Sequence, residues 1–367
     1  MSKTDAHEAH YRRMSEAPVS GLVTRMAIPS IITMVISSVY NMADTFFVSR
    51  LNISASGAVG IVFSIMAIIQ AVGFSLGMGS GSLVSRHLEA KEKEQADTVA
   101  SAGFFSALAA GAAIATALSQ CVSFFILLYI YLSGRSSIRL SLRRLPGNMR
   151  LLWQILVVGF PTLCRQGLAS LASVATSRAV RPYGDAAIAA MSIISRIIHF
   201  QGSVVRGLSQ GCQPVAGFNY GAKRYRRVYD ATRFTVWAGT IFMLAVSAVF
   251  FLWTPDIMRL FCKGDLDVVR VGTLALRAYS FAAPMTGLVT AASMVLQSVG
   301  CSGSATALSC CRQGLFLFPI LLILPGRIGL PGVQLAQPLA DGLTFCTALP
   351  LYISFKRNML KREDLEE

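Results

Sequence analysis

The stretches Met26-Ala-Ile-Pro-Ser30 and Val158-Gly-Phe-Pro-Thr162 decide the fold, because each opens a long apolar segment that ends in a basic loop. The two segments match one another at a common spacing of about 132 residues, which is the signature of an internal repeat. A duplicated polytopic unit is the usual architecture of a secondary transporter, whose substrate path lies between the two halves. The matching pairs are Pro29 and Pro161, Leu76 and Leu208, Gly79 and Gly211, and Lys91 and Lys223.

The composition is that of a helical membrane protein. Hydrophobic residues make up 54% of the 367 residues and charged residues only 14%, whereas a soluble protein carries about 25% charged residues. Apolar runs long enough to cross a bilayer recur without alternation, which favours helices over a β-barrel. The net charge of +15 resides in short loops between these runs. That arrangement follows the positive-inside rule, so we expect a multi-pass membrane protein that binds no nucleic acid.

The loops between the apolar runs predict the topology. Five of them are rich in lysine and arginine, and the positive-inside rule places all five, with both termini, in the cytoplasm. Turn signals such as Trp253-Thr-Pro-Asp256 separate the remaining runs. The sequence therefore predicts an all-α polytopic protein of about ten spans, four in the first half and six in the second, in two bundles related by a parallel repeat. The spans are expected near residues 24–48, 55–84, 97–133 (two spans), 152–180, 186–216, 234–253, 270–297, 304–325 and 331–355.

The two halves differ in length. Residues 97–133 must hold two spans, although a single span needs about 20 residues. We interpret the shortage as an internal deletion of roughly two spans between Ala107 and Ala113, and an asymmetric transporter is the alternative. The chain then divides into an N-terminal transmembrane bundle (1–134), a basic cytoplasmic linker (135–150), a C-terminal six-helix transmembrane bundle (151–357) and a cytoplasmic tail (358–367).

Four motifs lie at the ends of the predicted spans: Asn41-Met-Ala-Asp-Thr-Phe-Phe-Val-Ser-Arg50, Gly77-Met-Gly-Ser-Gly-Ser-Leu-Val-Ser-Arg86, Gly207-Leu-Ser-Gln-Gly-Cys-Gln-Pro214 and Gln337-Pro-Leu-Ala-Asp341. Together they resemble motifs of the multidrug and toxic compound extrusion (MATE) family, most closely its MepA-like bacterial branch, which implies a protein of the bacterial inner (plasma) membrane. The resemblance covers nearly the whole chain and implies two six-helix bundles, of which this chain looks like a version lacking the fourth and fifth spans. It also implies a carrier, monomeric in membrane lipid, that exchanges small amphipathic or cationic drugs for Na+ or H+ and needs no other cofactor.

Asp44 is the candidate for coupling transport to an ion. The sequence contains no phosphate-binding G-x-x-x-x-G-K-[ST] loop, so uphill transport would draw on an ion gradient and would require an ionisable group inside the membrane. Asp44 is the only acidic residue between Glu16 and Glu89. Asn41 lies one helical turn earlier on the same face and could supply an oxygen ligand. In the family, the matching aspartate belongs to the cation site of the first bundle; the alternative is an interfacial aspartate paired with a basic group.

Five polar residues of the second half are expected to line a central cavity: Arg165, Gln166, Arg312, Gln313 and Asp341. The alternative is that the arginines and glutamines tie helices together by hydrogen bonds to backbone carbonyls, and that Asp341 caps the last helix. An arginine-lined cavity would favour cationic drugs only if a carboxylate offsets its charge.

Prolines and glycines indicate where the helices bend and pack. Pro29 and Pro161 interrupt apolar helices and are candidate hinges for alternating access, although packing alone would also explain them. Gly77 lies four residues from another glycine on either side, and Gly211 lies four residues after Gly207. Such spacing predicts small-residue faces on which helices pack closely.

Three functions remain open from the sequence. The first is a cation-coupled multidrug antiporter that works by alternating access. The second is a lipid-linked oligosaccharide flippase of the related superfamily, which would use intramembrane arginines to bind a pyrophosphate lipid. The third is a truncated membrane protein that inserts but transports nothing. We do not expect an enzyme, because the sequence shows no nucleophile–base set, and its eight cysteines lack metal-ligand spacing.

Overall fold

A computed structural model of the chain describes Met14 and residues 17–49, 73–87, 95–103, 149–261 and 266–364. Every regular element in these ranges is a helix, which confirms the all-α fold class. A short 3-10 turn at Arg181–Tyr183 and a π-helical segment at Cys311–Phe316 connect neighbouring helices. The helices are α1 (Val19–Ser49), α2 (73–87), α3 (95–103), α4 (Met149–Val180), α5 (Asp185–Gly221), α6 (Tyr225–Leu252), α7 (Thr254–Phe261), α8 (Leu266–Ser298), α9 (Ser302–Cys310), α10 (Leu317–Ile328) and α11 (Leu330–Glu363).

Six helices in the described part of the chain are long and apolar enough to cross a membrane. Large apolar side chains on them point away from the protein, including Trp237 (61% exposed), Phe281 (75%) and Leu322 (81%). Such exposure is costly in water and natural in hydrocarbon, so the fold is that of a polytopic membrane protein. The six are Val19–Val39, Trp153–Tyr183, Asp185–Gly221, Tyr225–Leu252, Leu266–Ser298 and Ser302–Ile328, the last of which joins α9 to α10.

The helix α11 occupies the predicted span at 331–355 but is less apolar than those six. The side chains of Gln334 and Asp341 are buried in the protein, so its polar residues face neighbouring helices and not lipid. The predicted span at 55–84 is described only from residue 73, where α2 continues to residue 87. Most of 97–133, including the proposed deletion between Ala107 and Ala113, lies outside the described residues.

Glycines in the left-handed region of backbone conformation turn the chain between antiparallel helices. Gly184 (φ 89°) separates α4 from α5, Gly300 (φ 86°) separates α8 from α9, and Gly329 (φ 69°) separates α10 from α11. Residues with a Cβ rarely adopt this conformation, so glycine is the natural choice at each turn. These turns give the second-half helices their up-and-down arrangement.

Two buried apolar clusters lie at opposite ends of the second-half bundle. One joins the end of α5 and the start of α6 to the ends of α8 and α11, and it includes Leu22 and Val23 of α1. We call this the basic end, since Lys223, Arg226 and Arg362 also lie there. The other cluster joins the end of α4 and the start of α5 to α7, α10 and the start of α11. The helix α1 is thereby packed onto helices of the second half.

Candidate functional site

The first half of the chain meets the second where α1 crosses α5. The two helices run antiparallel, with Ser38 Oγ hydrogen-bonded to Ser203 Oγ and with Ile31 and Ala27 facing two glycines further along α5. A Cβ added at Gly207 would lie 2.5 Å from Ile31 Cα, and one added at Gly211 would lie 2.7 Å from Ala27 Cβ and closer still to its backbone. Both distances are shorter than any stable contact, so glycine permits this close approach.

A second crossing of the same kind brings α2 against α4. A Cβ added at Gly79 would lie 2.9 Å from the Gly159 backbone nitrogen, and one added at Gly159 would lie 2.7 Å from Ser75 Oγ. The two crossings are related by the internal repeat, because Gly79 and Gly211, and Ala27 and Gly159, are each separated by about 132 residues. The sequence repeat thus appears in the structure as two equivalent contacts between the halves, both nearer the basic end than the opposite end.

The second-half bundle contains a buried ion pair between the π-helical segment and α11. Arg312 donates from Nε to Asp341 Oδ1 (2.7 Å) and from Nη2 to Oδ2 (3.4 Å). Gln337, one turn before Asp341, donates from Nε2 to the same Oδ1 (2.9 Å). The side chain of Asp341 is 5% exposed and that of Arg312 is 27% exposed. Asp341 lies well inside α11, so the alternative that it caps this helix is wrong.

Two further arginines lie near this pair. Arg165 of α4 and Arg206 of α5 are half-buried and within electrostatic range of Arg312. Arg206 donates from Nη2 to the carbonyl of His199 (2.8 Å) and to Ser203 Oγ (3.4 Å), both on its own helix. Arg165 Nη1 is buried and has no hydrogen-bond partner among the described residues. The bundle therefore holds three arginines within electrostatic range of one another, and only Arg312 among them pairs with Asp341 in the described ranges.

Residues 29–140 and 161–323 each match the model of the MatE family. The chain belongs to the MatE family. The two matches begin at or beside the repeated prolines, as expected if each half of the chain is one family unit. The multidrug export protein MepA of Staphylococcus aureus (strain MSSA476) is 25% identical over 240 residues, which are 65% of this chain and 52% of that protein. The chain thus spans about half the length of this relative in the alignment.

Solved structures agree with the fold that MatE membership implies. An outward-facing multidrug resistance MATE transporter is 19% identical, with a TM-score of 0.83, over 96% of this chain and 98% of that chain. A MOP superfamily transporter from Pyrococcus furiosus is 18% identical, with a TM-score of 0.81, over 96% of this chain and 98% of that chain. That transporter is described as having a binding pocket of reverse polarity, which suggests a different function for it. At these identities the likeness shows the fold alone.

Polar contacts close the basic end of this MatE protein. Arg227 donates from Nη2 to the carbonyl of Ala17 (2.6 Å) and from Nε to Asn219 Oδ1 (3.1 Å), which ties the segment before α1 to α5 and α6. Arg362 donates to Tyr220 Oη (2.9 Å) and anchors the end of α11. Burial raises the pKa of the Cys301 thiol, while the nearby Arg362 guanidinium opposes the shift.

Gly77, Gly211, Pro29 and Pro161 are the predicted packing and hinge residues. Gly211 lies at the crossing of α1 with α5, whereas an added Cβ at Gly77 would meet no described residue within 4 Å. The packing face at Gly77 stays a prediction, whereas Gly79 makes the contact with α4, because residues two apart point to different sides of a helix. Pro29 and Pro161 lie inside α1 and α4.

The turn of α4 before Pro161 is supported by α8. Gln297 donates from Nε2 to the carbonyl of Val158 (2.9 Å), and Thr162 Oγ1 donates to Gln297 Oε1 (3.0 Å). A proline in a helix removes a backbone donor, and neighbouring side chains commonly satisfy the groups around it. Sequence reasoning missed Gln297, which follows no recognisable motif.

The predicted site residues are only partly brought together. Arg312 and Asp341 pair, and Arg165 lies near them. Gln166 and Gln313 are half-buried, and their side-chain amides donate no hydrogen bond within the described ranges. Gln337 was not predicted, although its spacing of four residues from Asp341 places both on one face of α11. Asn41 and Asp44 belong to α1, but their side chains lie outside the described residues.

Proposed function

We propose that the chain exports small amphipathic or cationic drugs across the bacterial inner (plasma) membrane by antiport against Na+ or H+. The pair of repeat-related crossings carries the proposal, because each joins a helix of one half to a helix of the other. The two halves would separate along these crossings if the molecule opened. The name of the Staphylococcus aureus relative, a multidrug export protein, supports drugs as the substrate class.

Alternating access follows from the position of the two crossings. Both lie nearer the basic end, which the positive-inside rule assigns to the cytoplasm, so tight packing there corresponds to a state closed toward the cytoplasm. Opening that side requires α1 to leave α5 and α2 to leave α4. Small residues make the closest approaches at both contacts, and opening would also expose Leu22 and Val23, which α1 buries at the basic end. Pro29 and Pro161, in repeat-related helices, are the proposed hinges. The carrier is expected to act as a monomer in membrane lipid.

Asp44 is the proposed coupling group, with Asn41 as a second oxygen ligand. A carboxylate inside the hydrocarbon region is costly when charged and becomes less so when it binds a proton or Na+. Loading Asp44 from the outside and unloading it toward the cytoplasm would couple the ion gradient to movement of the two halves. No other acidic residue lies between Glu16 and Glu89, so the first predicted spans offer no substitute carboxylate.

Efflux of ethidium tests the proposal. In energised cells that express the chain at matched membrane levels, Asp44→Asn is expected to lower the efflux rate at least about tenfold, because a neutral amide neither takes up a proton nor balances Na+. Asp256→Asn is the matched control, since Asp256 is 68% exposed and pairs, among the described residues, with Arg259 of its own helix. We expect the control to export at the rate of the unchanged chain.

Two results would contradict this proposal. If Asp44→Asn exported ethidium as fast as Asp256→Asn, Asp44 would not couple the ion. If no variant exported ethidium despite normal insertion, the chain would not itself be an ethidium exporter, as expected of the truncated protein considered above.

The second candidate is a lipid-linked oligosaccharide flippase. The excess of arginine in the second-half bundle favours it, because a pyrophosphate lipid needs a basic cavity. Arg165, Arg206 and Arg312 supply three positive charges, and Asp341 balances one of them. A flippase would retain activity toward an anionic lipid when cationic drugs are not transported.

A further inference from the structure

We propose that the second-half bundle contains a binding site for the anionic group of an amphipathic molecule, a carboxylate or phosphate, formed by Arg165, Arg206 and Arg312. The inference rests on the proposed function only in treating this bundle as part of the substrate cavity. It concerns binding, which is measured without transport.

The three guanidinium groups reach one region from three different helical segments. Arg165 comes from α4, Arg206 from α5 and Arg312 from the π-helical segment between α9 and α10. Each of the first two lies close enough to Arg312 for their charges to repel. Like charges that converge in a low-dielectric region destabilise one another unless an anion joins them. Their convergence therefore indicates a ligand of opposite charge.

Two of the three arginines have no carboxylate partner among the described residues. Arg206 makes its hydrogen bonds to neutral acceptors on its own helix, at His199 and Ser203. Arg165 Nη1 is buried and makes no hydrogen bond within the described ranges. A buried guanidinium nitrogen without an acceptor is costly, and a bound oxyanion would satisfy it. Among the three arginines, Arg165 thus gives the most direct indication of an anionic ligand, because its Nη1 lacks an acceptor among the described residues.

The sequence offers too few carboxylates to neutralise the cluster. No acidic residue lies between Asp97 and Asp185, which includes all of α4, and Asp341 is the only one between Asp267 and Glu363. Asp341 already pairs with Arg312. Asp44 and Asp97 also lie within predicted spans, but neither belongs to the helices that carry the three arginines. Among the described residues, no carboxylate forms an ion pair with Arg165 or Arg206, and a bound anion would supply that charge.

The depth of the cluster makes this charge imbalance costly. At 1.5 Å per residue, Arg165 lies roughly 24 Å along α4 and Arg206 roughly 22 Å from the end of α5, so both are near the middle of their helices. Charged residues at that depth are usually functional. Arg312 and Gln313 belong to a π-helical segment, and such segments occur frequently at functional sites. Gly314 in the same segment faces the Leu168 side chain of α4.

Asp341 has a defined place in this site. It holds Arg312 by two hydrogen bonds and is itself held by Gln337. Its negative charge competes with an incoming anion for the same guanidinium groups. Removing that charge should therefore strengthen anion binding, whereas removing Arg165 or Arg206 should weaken it. These opposite signs distinguish a ligand site from a purely structural cluster.

Calorimetric titration of the purified full chain in detergent tests the site with two dyes. Fluorescein is anionic at neutral pH, and rhodamine 123 carries a positive charge on the same xanthene ring system. We expect fluorescein to bind more tightly than rhodamine 123, and Arg165→Gln and Arg206→Gln each to raise the fluorescein Kd about tenfold, because each removes a buried charge that faces the anion. Arg165→Lys keeps the charge and should retain most of the binding.

Arg196→Gln is the matched control. Arg196 is also half-buried and also on α5, but its hydrogen bond goes to Ser192 of the same helix and it lies outside the cluster. Its Kd for fluorescein is expected to stay within about twofold of that of the unchanged chain. Asp341→Asn is expected to lower the fluorescein Kd about fivefold, a gain that unfolding of the variant would not produce.

Competition identifies the source of the anionic group. Displacement of fluorescein by phosphatidylglycerol in nanodiscs, but not by inorganic phosphate, would support a lipid headgroup as the ligand, and displacement by both would support a free oxyanion. The proposal would be overturned if Arg165→Gln and Arg206→Gln bound fluorescein as tightly as Arg196→Gln, or if Asp341→Asn gave no gain. Loss of ethidium efflux without loss of fluorescein binding would count against the proposed export alone.

Discussion

Alanine at Gly79 should slow export at least about fivefold, because its methyl group would push apart two helices that touch backbone to backbone. The added Cβ would lie 2.9 Å from the Gly159 nitrogen, and Gly211→Ala would meet Ala27 in the same way at the repeat-related crossing. Backbone atoms cannot rotate out of the way, so the helices must separate. Overpacking of this kind costs about 1–3 kcal/mol. That cost disfavours the state closed at the basic end by about five- to hundredfold.

Two measurements check this prediction. Ethidium efflux reports the loss of transport, and the rate of maleimide labelling at Cys212, followed by peptide mass spectrometry, reports opening of the crossing. Cys212 is fully buried next to Gly211, so its labelling should become faster in both variants. The labelling rate responds even if the chain exports no ethidium.

Gly77→Ala is the matched control for Gly79→Ala. The two glycines lie two residues apart on α2, but an added Cβ at Gly77 would meet no described residue within 4 Å. Its efflux and Cys212 labelling should equal those of the unchanged chain. If Gly79→Ala and Gly77→Ala behaved alike, close packing of α2 on α4 would not govern closure.

The choice between these glycines illustrates what the sequence could predict about the contact between the halves. The four-residue spacing around Gly77 predicts a small-residue face, which is a local signal. The pairing of Gly79 with Gly211 across the repeat is a long-range signal, and the structure places these two residues at the crossings. Both halves keep a glycine at this repeat-related position, and a glycine allows two backbones to touch. The match between Gly79 and Gly211 therefore indicates a close backbone contact more specifically than the four-residue spacing around Gly77 does.

Helix positions were predictable because each apolar run must be long enough to cross a bilayer. The helices α1 and α8 contain their predicted spans and extend a few residues beyond them, since a helix continues past the hydrocarbon region. The short helix α7 was not predicted. The sequence predicts a turn between spans at its first residues, Thr254-Pro-Asp256, but proline near the start of a helix followed by an acidic residue is also a helix-initiation signal.

The polar site could be predicted only as a set of residues. Arg165, Arg312 and Asp341 stand out as charges within apolar runs, which is a composition signal. That Arg312 pairs with Asp341, while Arg165 stays without a partner among the described residues, depends on the π-helical segment and on how α4 packs. Neither feature has a known sequence signature, so the pairing required the structure.

The second large effect is expected at the Arg312–Asp341 pair. Arg312→Gln would leave the Asp341 carboxylate, 5% exposed, with Gln337 as its remaining donor in the described part of the chain. Removing one partner of a buried ion pair costs about 3–5 kcal/mol, because the remaining charge stays buried without compensation. The temperature at which half of the detergent-solubilised protein remains monodisperse should fall by several degrees. The double variant Arg312→Gln with Asp341→Asn should recover most of that loss, since it buries no unpaired charge.

Arg259→Gln is the control for this pair, because Arg259 forms an ion pair with Asp256 in which both side chains are about two-thirds exposed. Exposed ion pairs contribute about 0–1 kcal/mol to stability. Half of the Arg259→Gln protein should therefore remain monodisperse at the same temperature as for the unchanged chain. Equal melting of Arg312→Gln and Arg259→Gln would mean that water reaches Asp341 freely and that the site is not enclosed. A loss at Arg312→Gln that the double variant does not recover would mean that the Arg312 side chain stabilises the bundle through its packing. Recovery in the double variant would instead assign the loss to the unpaired carboxylate, the same charge that is expected to oppose anion binding.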